Sequence, residues 1–224
     1  MRITEIINES IKFILKNPSF LLPFIFYYLL TSFVFLSLEI YQFYSLFFFF
    51  IFSLLFLPFI IYSLIHKLEK NEYTFSVPRK IFKDLIFATI LKLLLFLLFF
   101  FFISLSIFSI YFKNLNLEFI FIFSIIPLFF LIRFLTLEVD VSTKKLNFLE
   151  AIKHSFKKTK GMELKIFFAF IVFFLISLSF LIISYYILDL LKMRIVSYLF
   201  DSFSASIFFS SLIVFSYKLN KSKF

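Results

Sequence analysis

Six long apolar runs, each close to or above the length that crosses a bilayer as a helix, constrain this chain more than any other feature. They extend over roughly Phe20 to Leu38, Phe43 to Ile65, Leu85 to Phe112, Leu117 to Leu137, Leu164 to Leu188 and Ile195 to Tyr217. A helix rises 1.5 Å per residue, so about 20 predominantly apolar residues are needed to cross the hydrocarbon. Water cannot satisfy backbone groups there, so a segment of this kind has to be helical. Composition agrees: 62% of the 224 residues are hydrophobic and 16% are charged, against about 25% charged in an average soluble domain. The expected fold class is therefore all-α: a polytopic integral membrane protein whose residues 1–224 form one six-helix domain.

Short connections at Glu39 to Gln42, Lys113 to Asn116 and Asp189 to Arg194 arrange the six runs as three helical hairpins. Most of the 23 lysines and arginines fall on the other side of these connections, which receive only Lys113, Lys192 and Arg194. By the positive-inside rule both termini lie in the cytoplasm, at a cell membrane. The formal net charge of +10 follows from this topology, so it is no argument for nucleic acid as a partner. The segment before the first run lacks an apolar h-region and a small-residue cleavage site, so that run is expected to serve as an uncleaved anchor.

Each hairpin is preceded by a basic amphipathic lead-in. Over residues 1–18, Ile3, Ile6, Ile7, Ile11 and Ile14 share one helical face, with Glu5, Glu9, Lys12 and Lys16 opposite. Before the third run, Ile81, Phe82 and Leu85 oppose Arg79, Lys80, Lys83 and Asp84. Over residues 147–160, Phe148, Leu149, Ile152 and Phe156 form a stripe, with Lys153, Lys157 and Lys160 along its edge. These patterns describe cytoplasmic interfacial helices resting on lipid. The segment Ile7-Asn8-Glu9-Ser10-Ile11-Lys12 aligns with Ile152-Lys153-His154-Ser155-Phe156-Lys157, a weak internal repeat.

The chain has one glycine, Gly161, directly after Lys160. A glycine beyond the last helical residue takes a left-handed conformation cheaply, so Gly161 is expected to close the lead-in helix and turn the chain into the fifth run. Asn17-Pro18 stands at the equivalent place in the first lead-in, where proline stops a helix by other means.

Familiar chemistry is largely excluded. With no cysteine there are no disulfides or thiolate metal sites. One glycine rules out phosphate-binding loops, the dinucleotide fingerprint and the nucleophile elbow. Two histidines, His66 and His154, cannot make a three-histidine site, and both are expected as solvated surface residues. No cofactor, metal or catalytic residue is expected.

Three ionisable groups fall within the runs and so carry the functional expectation by default: Asp201, Arg133 and Lys92. Lys92 and Arg133 are close enough to the cytoplasmic end to reach the headgroups along their own aliphatic stems. Asp201 cannot do so, and must be protonated, face water or meet a cation such as Lys113, Lys192 or Arg194. Ser202, Ser204, Ser206, Ser210, Ser211 and Ser216 stud the same run and favour close helix packing. Pro23, Pro58 and Pro127 are expected to kink their helices.

The stretch PLFFLIRFLTLEVDVSTKKLNFLEAIKHSFKKTKGMELK, Pro127 to Lys165, resembles a pattern in the membrane domain attached to some glycerophosphodiester phosphodiesterases and in stand-alone relatives of unknown function. Its matching positions are Pro127, Arg133, Glu138, Glu150, Ala151, Ser155, Thr159, Lys160 and Gly161. The resemblance implies a six-span membrane domain and no catalysis, because the phosphodiesterase chemistry belongs to a separate barrel. Glu150-Ala151 is also similar to the coupling-helix motif E-A-A-x-x-x-G of importer permeases, but the spacing to Gly161 departs from it.

The expected function is a non-enzymatic membrane accessory or scaffold that contacts anionic lipid through Lys153, Lys157 and Lys160. Membrane lipids are the expected partners, beside a protein partner or a second copy. The alternative is the membrane subunit of a small-solute transporter or channel.

Overall fold

The computed structural model describes residues 3–37, 42–74, 76–112, 117–191 and 194–222. The expected outer connections fall mostly outside these residues, as do Lys113 and Lys192, and the side chain of Arg194 is likewise not described.

The described chain is helical and has no strand among its described residues. Among the described residues, four helices are long and apolar enough to cross a membrane, within Ile51–Lys70, Arg79–Leu105, Glu163–Ile182 and Leu199–Lys221. They coincide with the second, third, fifth and sixth apolar runs. A fifth is added if Ile3–Lys16 and Pro18–Thr31, bent by 97° at their junction, make one crossing. In the first and fourth runs, α2 (Leu22–Ser37) and α5 (Leu117–Arg133) have 16 and 17 described residues.

The helices divide into two compact units. The first holds α1 (Ile3–Lys16), a 3-10 turn at Pro18–Leu21, α2, α3 (Gln42–Lys70), nearly all of α8 (Glu163–Leu191) and α9 (Arg194–Lys221). Its core joins Ile14, Phe20, Phe24 and Tyr27 to Leu64 from α3 and to Ile207 and Val214 from α9. The α1 helix packs against α9, with Ile3, Ile6, Ile7, Ser10 and Ile14 buried. The isoleucine face expected to rest on lipid is thus covered by protein, because α9 offers it a complementary apolar surface at the same place. Glu9 pairs with Lys218 across the rim of that contact at 2.7 Å.

The 97° corner after α1 forms as the sequence suggests. Pro18 begins the 3-10 turn, and the Phe13 carbonyl accepts from both the backbone amide and the side-chain amide of Asn17, each at 3.0 Å, which closes the last turn of α1. Pro23 sits in the first turn of α2, where no intrahelical bond is lost, while Pro58 and Pro127 lie inside helices that continue past them.

The second unit holds α4 (Arg79–Phe112), α5, α6 (Leu137–Lys144) and α7 (Phe148–Thr159). The α4 and α5 helices pack along each other, α6 lies against α4, and α7 closes on α6. The fourth apolar run, expected to be continuous to Leu137, breaks after Arg133. Residues 134–136 form tight turns before α6 starts. No proline or glycine causes the break, and its explanation lies in α7.

Candidate functional site

A helix that breaks leaves carbonyls without amide donors. At this break the Arg133 carbonyl accepts from Ser155 Oγ at 2.6 Å and from Thr159 Oγ1 at 3.4 Å, and the Leu135 carbonyl accepts from Lys92 Nζ at 3.3 Å. Side chains from α7 and α4 thus supply donors at the point where the helix bends. Thr136, at the start of α6, turns its hydroxyl toward Asp140 Oδ2 at 3.1 Å and Ser155 Oγ at 3.0 Å.

The α7 helix is built to make these contacts. Asn147 and Glu150 form a reciprocal capping box, with Glu150 N–H donating to Asn147 Oδ1 at 2.9 Å. The amide of Phe148 donates to Asp84 of α4 at 3.1 Å. Ala151, Ser155 and Thr159, spaced by four residues, are the fully buried face. Their small size lets α7 approach the backbone of the break, and two of them carry the hydroxyls that bond to it. The aromatic stripe expected to dip into lipid lies on the flanks of this face: the Phe156 ring packs 5.2 Å from Phe134, and Phe148 lies 5.7 Å from Phe87. Leu149 alone of the stripe is left exposed, at 68%.

Gly161 has φ of +77°, the left-handed value expected. Lys160 is at φ −59° and ψ 127°, and the Met162 amide donates to the Thr159 carbonyl at 3.1 Å. These values define a type II turn, which needs φ > 0 at its third residue, so the glycine acts through a β-turn that follows the helix. A Cβ built at Gly161 would meet nothing within 4 Å, so only the backbone conformation demands glycine.

The three ionisable residues expected to matter divide between the units. Asp201 lies exposed on α9 in the first unit, between the core and the end where side chains are not described. Ser202 and Ser204 beside it are buried, and Ser204 bonds reciprocally with Ser177 of α8, the close packing expected of the serines. Arg133 and Lys92 are in the second unit, and neither reaches outward as expected. Lys92 pairs with Glu138, and the Arg133 guanidinium meets Glu163 at 2.6 Å and the Phe156 carbonyl at 3.1 Å, between the rings of Phe129 and Phe156. Both cations are therefore engaged by protein groups, the partners that a charge held away from water needs.

His154 also departs from expectation. It sits beside the fully buried Asp140, with Nδ1 2.9 Å from Oδ1, while its Nε2 lies 2.9 Å from Lys144 Nζ. The Nδ1 contact is Coulombic and lacks the alignment of a hydrogen bond. Burial, with the Lys144 ammonium nearby, holds the Lys158 ammonium below the ordinary lysine range, and Asp140 partly offsets this. His66 is half-buried and stacks on Tyr62 at 6.0 Å.

Lys153 and Lys157 are exposed on α7 and Lys160 in the turn that follows it, and Leu164, past the corner, is 83% exposed. Among the described residues no group of three or more His, Asp or Glu is placed to hold a metal ion. The residues that sequence reading did not single out are Thr136, Asp140 and Glu163; Thr159 entered only as a matched position, and Ser155 as a matched position and in the internal repeat. Their available signal was the small-residue spacing Ala151, Ser155, Thr159.

The arrangement defines an all-helical chain with several helices long and apolar enough to cross a membrane, and a polar clamp at one helix break. Comparisons with protein families, with curated proteins and with solved structures find no match to this chain.

Proposed function

We propose that the chain is a non-enzymatic integral membrane protein, crossing six times with both termini in the cytoplasm, that serves as an accessory or scaffold contacting anionic lipid. The observation that carries this reading is the exposed set of Lys153 and Lys157 on α7 and Lys160 in the turn that follows it, bounded by the exposed Leu149 and Leu164. Leucines at both ends let the helix end settle among acyl chains while the ammonium groups meet headgroup phosphates, each lysine adding about 1 kcal/mol near an anionic surface. The polar clamp holds this helix at a fixed place, because its buried face bonds to backbone that cannot move without reforming the break. The positions on which the resemblance to the glycerophosphodiester phosphodiesterase membrane domain rests fit the same reading, since Glu150, Ala151, Ser155, Thr159 and Gly161 serve as cap, buried face and corner of α7.

The test is lipid retention. Protein purified in mild detergent with equal phosphatidylglycerol and phosphatidylcholine should retain phosphatidylglycerol preferentially. Replacing Lys153, Lys157 and Lys160 together by Gln should reduce that preference severalfold. Equal retention of the two lipids, or a triple variant indistinguishable from the parent, would overturn the reading.

A further inference from the structure

A cavity of about 220 Å³ lies in the first unit, where the corner after α1 meets the end of α3. Its walls are tied together across the sequence. The Tyr73 hydroxyl donates to the Ser19 carbonyl at 3.0 Å, which holds the segment after α3 against the corner. Asn71 follows α3 with φ of +62°, a left-handed conformation that asparagine tolerates, and its amide donates to the Lys67 carbonyl at 3.0 Å. The chain thereby doubles back on the last turn of α3. Lys67 Nζ donates to the Asn71 carbonyl at 2.7 Å and lies 5.1 Å from the centre of the Tyr73 ring.

The lining is divided in character. Phe13, Phe20 and Leu68 are apolar, whereas Lys67, Glu69 and Asn17 bring one cation, one carboxylate and one amide. An ammonium has three N–H donors, so Lys67 has two to offer beyond its bond to Asn71. Asn17 uses a side-chain N–H on the Phe13 carbonyl, which leaves its Oδ1 as an acceptor. A purely anionic guest would be repelled by Glu69, and a purely cationic one by Lys67. A guest that carries both a phosphate and a primary ammonium satisfies the two together. Size limits it further: clefts that enclose drug-sized ligands run to roughly 300–1,000 Å³, so only a headgroup fits and acyl chains stay outside. Leu15 and Leu22, on either side of the corner in sequence, are exposed and give such chains an apolar surface.

We infer that this cavity binds a phosphoethanolamine group, with Lys67 donating to the phosphate oxygens and with Glu69 and Asn17 Oδ1 accepting from the ammonium. Two sources carry that chemistry, the headgroup of phosphatidylethanolamine and a free phosphodiester such as glycerophosphoethanolamine. Phosphatidylcholine is the poorer guest, because its trimethylammonium has no N–H to give. Both lipids are net neutral, so comparing them does not depend on attraction to the exposed lysines of α7.

The test offers equal phosphatidylethanolamine and phosphatidylcholine to the protein in mild detergent and counts bound lipid by native mass spectrometry. The first should be retained about fivefold over the second, the upper end of what one exposed ion pair supplies. Glu69→Gln should bring that ratio close to one, and Lys67→Gln should lower retention of both lipids severalfold. Glu69 is exposed, so Glu69→Gln should unfold at the parental temperature and its ratio is read on an intact fold. Hydrogen exchange of residues 71–74 with glycerophosphoethanolamine alone separates the sources. Protection there assigns the free ester as a ligand even if the two lipids are retained equally, and lipid preference without protection assigns the lipid. Equal retention with no protection overturns the inference, as does a preference that survives both substitutions.

Discussion

Two of the amphipathic lead-ins, α1 and α7, have matching residues and opposite ways of docking. Aligned in the sequence, Ser10 and Ser155 occupy the same register, and both are fully buried. Around Ser10 the buried face is isoleucine, and its hydroxyl bonds back to the Ile6 carbonyl of its own helix at 2.7 Å. Around Ser155 the buried face is alanine and threonine, and its hydroxyl bonds to the Arg133 carbonyl of another helix. One helix is held by apolar area, which is tolerant of small shifts. The other is held by hydrogen bonds to a broken helix, which fix its position. Similar periodicity therefore encodes two different attachments, and only the second ties a basic surface to a defined place.

The largest effect should come from removing charge pairing beneath the polar clamp. Glu138→Leu leaves the Lys92 ammonium half-buried without its carboxylate, which should lower stability by about 4 kcal/mol, while the double change Lys92→Met with Glu138→Leu should recover most of the loss. Thermal unfolding in detergent reads both. A single variant as stable as the parent would show that the clamp does not depend on this pair.

On the apolar side, Ile6→Ala should cost about 3 kcal/mol, because the side chain is fully buried and its neighbours can only partly close the cavity. The loss should appear as faster hydrogen exchange of α1 amides. Ser155→Ala should cost less, about 1 kcal/mol, since Thr159 Oγ1, bonded at 2.8 Å to the Ser155 carbonyl, lies 3.4 Å from the Arg133 carbonyl and can turn its one proton to it. Its exchange signature should be confined to α7 and residues 134–136. If Ser155→Ala proved the more damaging of the two, the contrast between area and hydrogen bonding would be reversed.

Gly161→Ala tests the corner alone. Space is available for the methyl group, but φ of +77° is unfavourable for an L-residue, so the cost should be about 1 kcal/mol. Gly161→Asn should cost less, because asparagine visits the left-handed region more readily. Equal tolerance of both, by thermal unfolding, would mean that the turn reforms with another geometry.

The helices, the Pro18 corner and the left-handed Gly161 were legible because each depends on residues near in sequence: apolar length, a ring that fixes φ, a missing Cβ. The break at residues 134–136 was not, since Phe134, Leu135 and Thr136 include no helix breaker and the bend is stabilised by donors from Ser155 and Thr159, some 20 residues away. The docking face of α7 was misassigned for a related reason. Large apolar residues dominate a helical wheel, and the stripe Phe148, Leu149, Ile152 and Phe156 hides the smaller one that makes the contact. His154 and Asp140 could not be paired from sequence, because a hairpin between α6 and α7 has to exist before they meet. The partners of Arg133 and Lys92 were obscured likewise: the aliphatic stem suggests an outward reach, and only the tertiary fold brings Glu163 and Glu138 to them.

The smallest effect is the most discriminating for the comparison. A serine hydroxyl bonded to the carbonyl four residues back in its own helix adds little, since that carbonyl already has its amide donor and the side-chain bond can bend the helix slightly. Ser10→Ala should therefore change stability by less than about 0.5 kcal/mol in either direction, although Ser10 is as buried as Ser155. The same substitution at the two aligned positions thus separates a hydroxyl that only occupies space from one that holds two helices together. If unfolding and α1 exchange showed Ser10→Ala to be as costly as Ser155→Ala, the Ser10 hydroxyl would have to contact α9 rather than its own helix, and α1 would be a second polar clamp.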